Sequence, residues 1–438
     1  MDSKFSPQSS FLQELQSRGF IAQMTHADEL DKLMAQEKIA AYIGFDCTAE
    51  SLHVGSLIQI MMLRLLQKHG HKPIALLGGG TTKIGDPSGK DESRQILTEE
   101  KIAQNLSGIK NTLAQFIDFA DDSGSASNKA AALMVNNDDW LKKLNYIEFL
   151  RDVGKHFSVN RMLSFDSVKL RLERDQPLSF LEFNYMILQA YDFYELNKQH
   201  GCRLQIGGSD QWGNIVNGVE LTRRIAASDS FMPSVLQGFS SFEDRLAARA
   251  VFGLTSPLLT TADGKKMGKT ADGAVWLSSK LLSPFDYFQY FRNTHDGDVV
   301  KFLKLFTDLS LAEISELEKL KDQEINRAKE ILAFETTKVC HGEKSAQEAL
   351  QKAREIFISK NSTAYEEKEI AIGEGKKLIE IIKEIGAVES NAEAKRLIEG
   401  RGVKINDQAV ADIGHFIKDA QEFNLSVGKK KFFRIIAK

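Results

Sequence analysis

The order strand, helix, strand near the beginning of this chain constrains its fold more than any other feature. Ala40–Asp46 is a short, mostly apolar run, and Leu57–His69 (LIQIMMLRLLQKH) is an almost wholly apolar segment of helical length. Pro73–Leu77 (PIALL) is a second short apolar run, ending in Gly78, Gly79 and Gly80. Two buried strands joined by a helix form a βαβ unit, whose strands run parallel with a right-handed crossover. The expected architecture is therefore α/β with a doubly wound parallel sheet. Leu204–Gly208 (LQIGG) offers a later strand that also ends in glycines. Ligands of such sheets sit beyond the carboxyl ends of the strands, where these glycine loops fall.

At 438 residues the chain exceeds one ordinary core, and at ~150 residues per domain it predicts two to four units. The polar stretch Asp121–Lys129 (DDSGSASNK) reads as a surface loop within a helical insertion near 120–190. From about Ser283 the segments FDYFQYFRNT, VVKFLKLF and LAEISELEKLKDQEINRAKEILAFET show amphipathic spacing, predicting a second, all-helical domain. Hydrophobicity drops across Asn361–Gly375, which reads as a linker of low order. A small unit, Lys376–Lys438, completes the chain.

Whole-chain charge is −3, which by itself offers a polyanion little attraction. The distribution is uneven. Residues 376–438 hold 13 Lys and Arg against 9 Asp and Glu, a net of +4, which leaves −7 for residues 1–375. A basic tail on an acidic body is the pattern of a catalytic unit carrying a nucleic-acid-binding appendage. Its two helical segments, KKLIEIIKEIG and NAEAKRLIEG, lead into the turn and short strand RGVKIND, with Lys395, Arg396, Arg401 and Lys404 clustered there. Three scattered cysteines without a CxxC pair indicate neither a disulfide framework nor a cysteine metal site. The N-terminal MDSKFSPQSSFLQELQSRGF lacks an apolar signal core, and no stretch approaches ~20 apolar residues. The expected location is the reducing cytoplasm, with no membrane partner.

Two segments superficially resemble a phosphate-binding P-loop. GDPSGKD (Gly85–Asp91) and GKKMGKT (Gly264–Thr270) each place the first glycine one residue too close for GxxxxGK[ST], and no GxGxxG succeeds the first strand. That strand instead runs on into FDCTAESLHVGSL, with His53 and Gly55 at the start of the apolar helix. Glycine admits close backbone approach, and free N–H groups at a helix start attract phosphate. Lys266 and Lys269 put two ammonium groups on a glycine-containing loop, suited to a pyrophosphate leaving group. In LEFNYMILQAYDFYEL, Tyr185, Gln189 and Asp192 recur at i, i+4 and i+7 and share one face of a largely apolar helix. A buried polar stripe with a carboxylate needs a partner, which a polar ligand can supply.

Together these residues are recognisable. YIGFDCTAESLHVGSL resembles the HIGH region of class I aminoacyl-tRNA synthetases, and KMGKT resembles their KMSKS loop. GGGTTKIGDPSGK, FNYMILQAYDF and LQIGGSDQWGN are similar to bacterial tyrosyl-tRNA synthetases, and the C-terminal unit to their S-four-type RNA-binding domain. The resemblance implies a Rossmann-like catalytic domain (1–229), an all-helical domain contacting the anticodon stem (230–338) with the KMSKS-like loop at its start, a helix and linker (339–375), and a small α+β RNA-binding domain (376–438). It implies that Tyr42 and Asp192 bind the phenol of L-tyrosine, that Tyr185, Gln189 and Asp86 hold its ammonium group, and that Gln211 lies near its carboxylate. His53, Gly55, Ser56, Asp46, Thr48, Thr81, Gly208 and Asp210 would contact ATP or the adenylate. Lys90, Arg94, Lys266 and Lys269 would grip pyrophosphate. Lys395, Arg396, Arg401 and Lys404 would bind RNA. It further implies a homodimer acting on tRNA(Tyr), with Mg2+ arriving with ATP and no organic prosthetic group; no metal-ligand cluster is visible in the residues.

Four positions depart from the family pattern. Ser56 replaces the second histidine of HIGH, Cys47 stands where proline is usual, and Gly268 and Thr270 replace serines. Cys202 reads as a packed, inert residue. Within the class the rival is a tryptophan enzyme, which shares both nucleotide motifs; outside it, a P-loop ATPase or a non-catalytic RNA-binding protein on the same body.

Overall fold

The computed structural model of the chain describes residues 5–87, 97–120, 130–226, 250–262, 264, 267–270, 273–357, 365–373, 375–406, 408–418, 422–428 and 431–437. Asp121–Lys129, the expected domain boundary at 230 and the residues Lys90, Arg94 and Lys266 lie outside them. The chain divides into two compact units, Met1–Ala346 and Gln347–Lys438.

The first unit is built on a six-stranded sheet. Its strands are β1 (Gln23–Met24), β2 (Ala40–Asp46), β3 (Lys72–Gly78), β4 (Leu133–Asn136), β5 (Cys202–Gly208) and β6 (Phe252–Ser256), in the spatial order β1-β6-β5-β2-β3-β4. All neighbours are parallel except β1 and β6. From β2 the chain first builds outward through β3 and β4, then returns to place β5 and β6 on the other side. The reversal lies between β2 and β5, where a crevice must open at the carboxyl ends.

The Leu57–Lys68 helix makes the crossover from β2 to β3 and buries Leu57, Ile58, Ile60 and Met61 among others, as its apolar body predicts. The helix Phe180–His200 precedes β5. It starts on a capping box between Ser179 and Glu182, and Gly201 ends it in the left-handed conformation at φ 62°. Past the sheet, the helices Pro284–Arg292, Val299–Phe306, Leu311–Glu318 and Ile325–His341 bury an aromatic core around Tyr287, Phe288, Phe291 and Phe306. The N-terminal helix Ser10–Arg18 is tied to them: the Arg18 guanidinium donates to the carbonyls of Lys304 at 3.0 Å and Leu309 at 2.8 Å.

In the second unit a five-stranded sheet of Gln408–Val410, Val403–Ile405, Glu422–Val427, Lys431–Ala437 and Glu366–Ile370 packs with the helices Leu378–Glu384 and Asn391–Glu399 around its own core, including Leu378, Ile381, Ile398, Val403 and Leu425. Its first strand, Glu366–Ile370, falls in the stretch read from sequence as a linker. It pairs in parallel with Lys431–Ala437, and Arg434 holds Glu367 at 3.2 Å, so a polar segment becomes an edge strand.

Candidate active site

A cavity of about 530 Å³ opens at the carboxyl ends of β2, β3 and β5, inside the first unit. Tyr42, Asp46, Thr48, His53, Ser56, Thr81, Asp86, Tyr185, Gln189, Asp192, Gly208, Asp210 and Gln211 all line it. These thirteen residues, from Tyr42 to Gln211, are thus brought to one place by the sheet topology.

Around the helix Phe180–His200 the lining is a hydrogen-bonded network. Asp192, 2 % exposed, accepts from Asn137 Nδ2 at 2.9 Å and from Trp140 Nε1 at 2.8 Å. The same Asn137 amide donates to Thr81 Oγ1 at 3.0 Å, and Thr81 donates to Asp46 Oδ1 at 3.1 Å. Tyr185 OH lies 3.3 Å from both oxygens of Asp46. A second chain runs from Gln189, whose Oε1 accepts from Asn214 Nδ2 at 2.9 Å, to Gln211 and then Asp86, which accepts from Gln211 Nε2 at 2.9 Å. The face read from the i, i+4, i+7 spacing is therefore turned into the cavity. Tyr42, 1 % exposed and tilted against Phe193, keeps its hydroxyl without a hydrogen-bond partner among the described residues. A buried, unpaired phenol beside a cavity is an acceptor and donor waiting for a polar ligand.

Burial pushes the Asp192 carboxyl up to about 7, with the Asp46 and Glu195 charges adding to the rise and the Asn137 and Trp140 bonds opposing it. Burial, and then the Asp192 charge, holds the Tyr42 hydroxyl well above its ordinary value. The Cys47 and Cys202 thiols are each pushed up to about 12 by burial, so neither is a nucleophile at neutral pH.

The other wall is made by the turn His53–Ser56 at the start of the helix Leu57–Lys68. Gly55 N–H donates to His53 Nδ1 at 2.9 Å, which leaves the neutral ring its proton on Nε2, a donor for an oxyanion. A Cβ at Gly55 would stand 2.5 Å from His53 Cε1, so any side chain there would push the ring from its place. The chain after KMGKT returns against this turn, Val54 N–H donating to Val275 O and Leu277 N–H to Leu52 O, each at 2.9 Å. Trp276 meets the His53 ring edge-on at 6.2 Å and lines the cavity. Lys269 opens the short strand Lys269–Thr270, paired to Gly273–Ala274. Residues to which the sequence assigns no role complete the site: Asn137, Trp140, Gln59 and Trp276, with Gln205 and Asn214 from inside LQIGGSDQWGN. Only the polar run VNNDDW hints at Asn137 and Trp140.

A mononucleotide-type sheet with a glycine turn and helix start on one side of its crevice and a buried polar pocket on the other defines an enzyme that joins a nucleotide to a small polar substrate. The chain belongs to the class I tRNA synthetases for tryptophan and tyrosine, whose family model matches residues 34–358. Within that family it is 53% identical to a tyrosine–tRNA ligase of Wolbachia sp. subsp. Brugia malayi, over 98% of this chain and 99% of that protein, and 52% identical to one of Caulobacter sp. (strain K31), over 98% of each. Its fold matches a C-terminally truncated mitochondrial tyrosyl-tRNA synthetase of Aspergillus nidulans with a TM-score of 0.69 at 31% identity, over 80% of this chain and 95% of that one.

Proposed function

We propose that this protein is a tyrosine–tRNA ligase: it joins L-tyrosine to ATP as tyrosyl-adenylate, releasing pyrophosphate, and passes the tyrosyl group to the 3′ end of tRNA(Tyr). The observation that carries the reading is the pairing, in one cavity, of the buried Asp192 and the unpartnered Tyr42 hydroxyl with the His53–Ser56 helix start. An indole offers neither Tyr42 nor Asp192 a hydroxyl, and the near-full-length relatives at 52–54% identity are named for tyrosine; both favour tyrosine over tryptophan.

The substrate carboxylate attacks the α-phosphate in line, so no enzyme nucleophile is required, and catalysis is positioning plus electrostatic support of the leaving pyrophosphate. In this reading Tyr42 and Asp192 hold the phenol, Tyr185, Gln189 and Asp86 the ammonium, and Gln211 the carboxylate. Asp46, Thr48, His53, Gly55, Ser56, Thr81, Gly208 and Asp210 surround the nucleotide. Lys90, Arg94, Lys266 and Lys269 supply positive charge to the leaving group. Ser56 can still donate one hydrogen bond, but carries no charge, where the family pattern has an ionisable ring. Mg2+ accompanies ATP as a counter-charge carried by the phosphates; among the described residues no group of three or more His, Cys, Asp and Glu could hold a metal ion. The setting is the cytoplasm, and no described helix is long and apolar enough to cross a membrane.

ATP–pyrophosphate exchange tested with each amino acid should respond to tyrosine. Exchange driven by tryptophan alone, or by none, rejects the proposal.

The working form is a homodimer. Nine of the thirteen exposed large apolar side chains among the described residues fall within 146–181, including Tyr146 at 61 %, Ile147 at 69 % and Phe180 at 70 %. Exposed apolar side chains gathered in one segment support an interface there. The double variant Ile147→Asp/Val159→Asp should sediment as a monomer where the wild type sediments as a dimer; a wild-type monomer, or an unchanged dimer, would remove this surface from the interface.

A further inference from the structure

Four positions of the helix Glu99–Leu113 touch one short stretch of chain, two of them at its backbone and two at its side chains, and none of them lines the cavity. Lys101, Asn105, Gly108 and Thr112 recur at i, i+4, i+7 and i+11, which at about 100° per residue puts them on one narrow face. That face meets residues 47–51, the stretch that leaves β2 and runs to the His53 turn. Lys101 Nζ pairs with Glu50 Oε1 at 2.5 Å. Asn105, fully buried, donates Nδ2 to the Cys47 carbonyl at 2.7 Å. A Cβ on Gly108 would lie 1.9 Å from the Glu50 carbonyl oxygen, so the loop backbone lies directly on the helix at that residue. Thr112 Oγ1 is 3.3 Å from Ser51 Oγ, both side chains being buried.

The stretch is held from other sides too. Cys47 N–H donates to Thr82 Oγ1 at 2.7 Å, a bond that proline in this position could not make, and Ser51 Oγ accepts from Ser278 N–H at 3.2 Å. To the cavity it presents Thr48, Ala49, Ser51, Leu52 and His53. The Lys101–Glu50 pair is more than 40 % exposed on both sides and contributes little. The buried contacts of Asn105, Gly108 and Thr112 dominate. Glycine in a helix interior is less favourable than alanine, yet alanine has no room at 108.

We propose that Asn105, Gly108 and Thr112 are positioning residues for adenylate formation: they fix residues 47–52 and through them the placement of His53 and Gly55 against the nucleotide. The proposal rests on the tyrosine–tRNA ligase reading. It assigns to a helix outside the cavity control of the nucleotide half of the reaction and not of the tyrosine half, because Tyr42, Tyr185, Gln189 and Asp192 stand on other elements.

The test compares full-length Gly108→Ala, Asn105→Asp and Thr112→Val with wild type in pyrophosphate exchange, tyrosine and ATP binding by equilibrium dialysis, and thermal melting. Gly108→Ala should lower kcat/KM for ATP about a hundredfold, the scale of a displacement of about 1 Å at a reacting centre, and the two near-isosteric variants should lower it about tenfold. The tyrosine Kd should stay within about twofold of wild type. Variants that melt lower but keep wild-type constants for ATP, or that lose tyrosine and ATP affinity in equal proportion, overturn the proposal. If Gly108→Ala does not fold, Asn105→Asp and Thr112→Val decide by the same criteria. A wild type with no tyrosine-dependent exchange rejects the functional reading instead, and the ATP-binding comparison still decides the positioning claim.

Discussion

Asp192→Asn should lower kcat/KM for tyrosine by about ten- to a hundredfold while changing that for phenylalanine far less, so that the preference between them collapses. The carboxylate has two oxygens, and each already accepts one buried N–H, from Asn137 and from Trp140. A carboxamide has one acceptor oxygen. Whichever way it turns, its NH2 group confronts one of the two donors, and leaving a buried donor unpaired costs about 1–3 kcal/mol. The same exchange removes the charged acceptor proposed for the substrate hydroxyl, a bond worth about 1.5–3 kcal/mol, which sets the expected range. A pocket built for a hydroxyl strands its polar groups when phenylalanine enters; tyrosyl-tRNA synthetases are the known example of this effect, and its full magnitude is theirs and not a result of this structure. Exchange kinetics with both amino acids measure it, and an unaltered preference would remove Asp192 from the site.

The raised carboxyl adds a pH signature with a definite sign. In the folded chain Asp192 titrates at about 7, whereas in an unfolded chain it does so near 3.8. The folded protein therefore holds a proton that the unfolded chain has released between those values, and stability contributed by this site falls as pH rises through that window. If the bound phenol donates to the ionised carboxylate, binding below about pH 7 must expel that proton. Tyrosine affinity should accordingly climb with pH, by up to about tenfold per unit, and level off above 7. Asp192→Asn should be flat over the same range, as should phenylalanine on the wild type.

How much of the fold is legible in the sequence depends on whether a feature is local. The βαβ unit announces itself because β2 and β3 are mostly apolar runs that end in loops or glycines, and because the helix between them is buried on most of its surface. Three strands leave no such mark. β1 is two residues long, β4 is only half-buried and lies inside a helical insertion, and β6 (FGLTS) is interrupted by a glycine. The segment Glu366–Ile370 is nearly all charged, and only its pairing with Lys431–Ala437 makes it a strand.

The site shows the same division. Tyr185, Gln189 and Asp192 are visible because helical periodicity puts them on one face. Asn137 and Trp140 reach Asp192 from 55 and 52 residues away, and no spacing rule connects such positions. The positioning face of the helix Glu99–Leu113 is equally hidden: its period is readable, but a glycine, an asparagine and a threonine on one stripe look like ordinary solvent-facing residues until the backbone of 47–51 is seen against them. Cys47 marks a departure in the sequence, and the structure gives it a physical content, an N–H donated to Thr82.

Removal of residues 358–438 should leave pyrophosphate exchange within about twofold of wild type and lower kcat/KM for tRNA at least about a hundredfold. The argument for the first half is packing. The cavity, its hydrogen-bond network and the sheet all belong to the unit Met1–Ala346, while the second unit closes its own core on Leu378, Ile381, Val403 and Leu425. The argument for the second half is charge. Residues 376–438 carry +4 against −7 for the rest, and Lys395, Arg396, Arg401 and Lys404 stand on one helix and on the turn and strand after it. A body with a negative net charge repels a polyanion at long range, so the basic unit is the proposed source of the attraction. For every phosphate that the truncated protein no longer neutralises, the fall of log kcat/KM with log salt should become shallower by about 0.7–0.9, which distinguishes a missing electrostatic grip from a general loss of activity. Equal charging by the truncated protein, with an unchanged salt slope, would mean that the catalytic and helical parts hold tRNA(Tyr) unaided and that the basic unit has some other task.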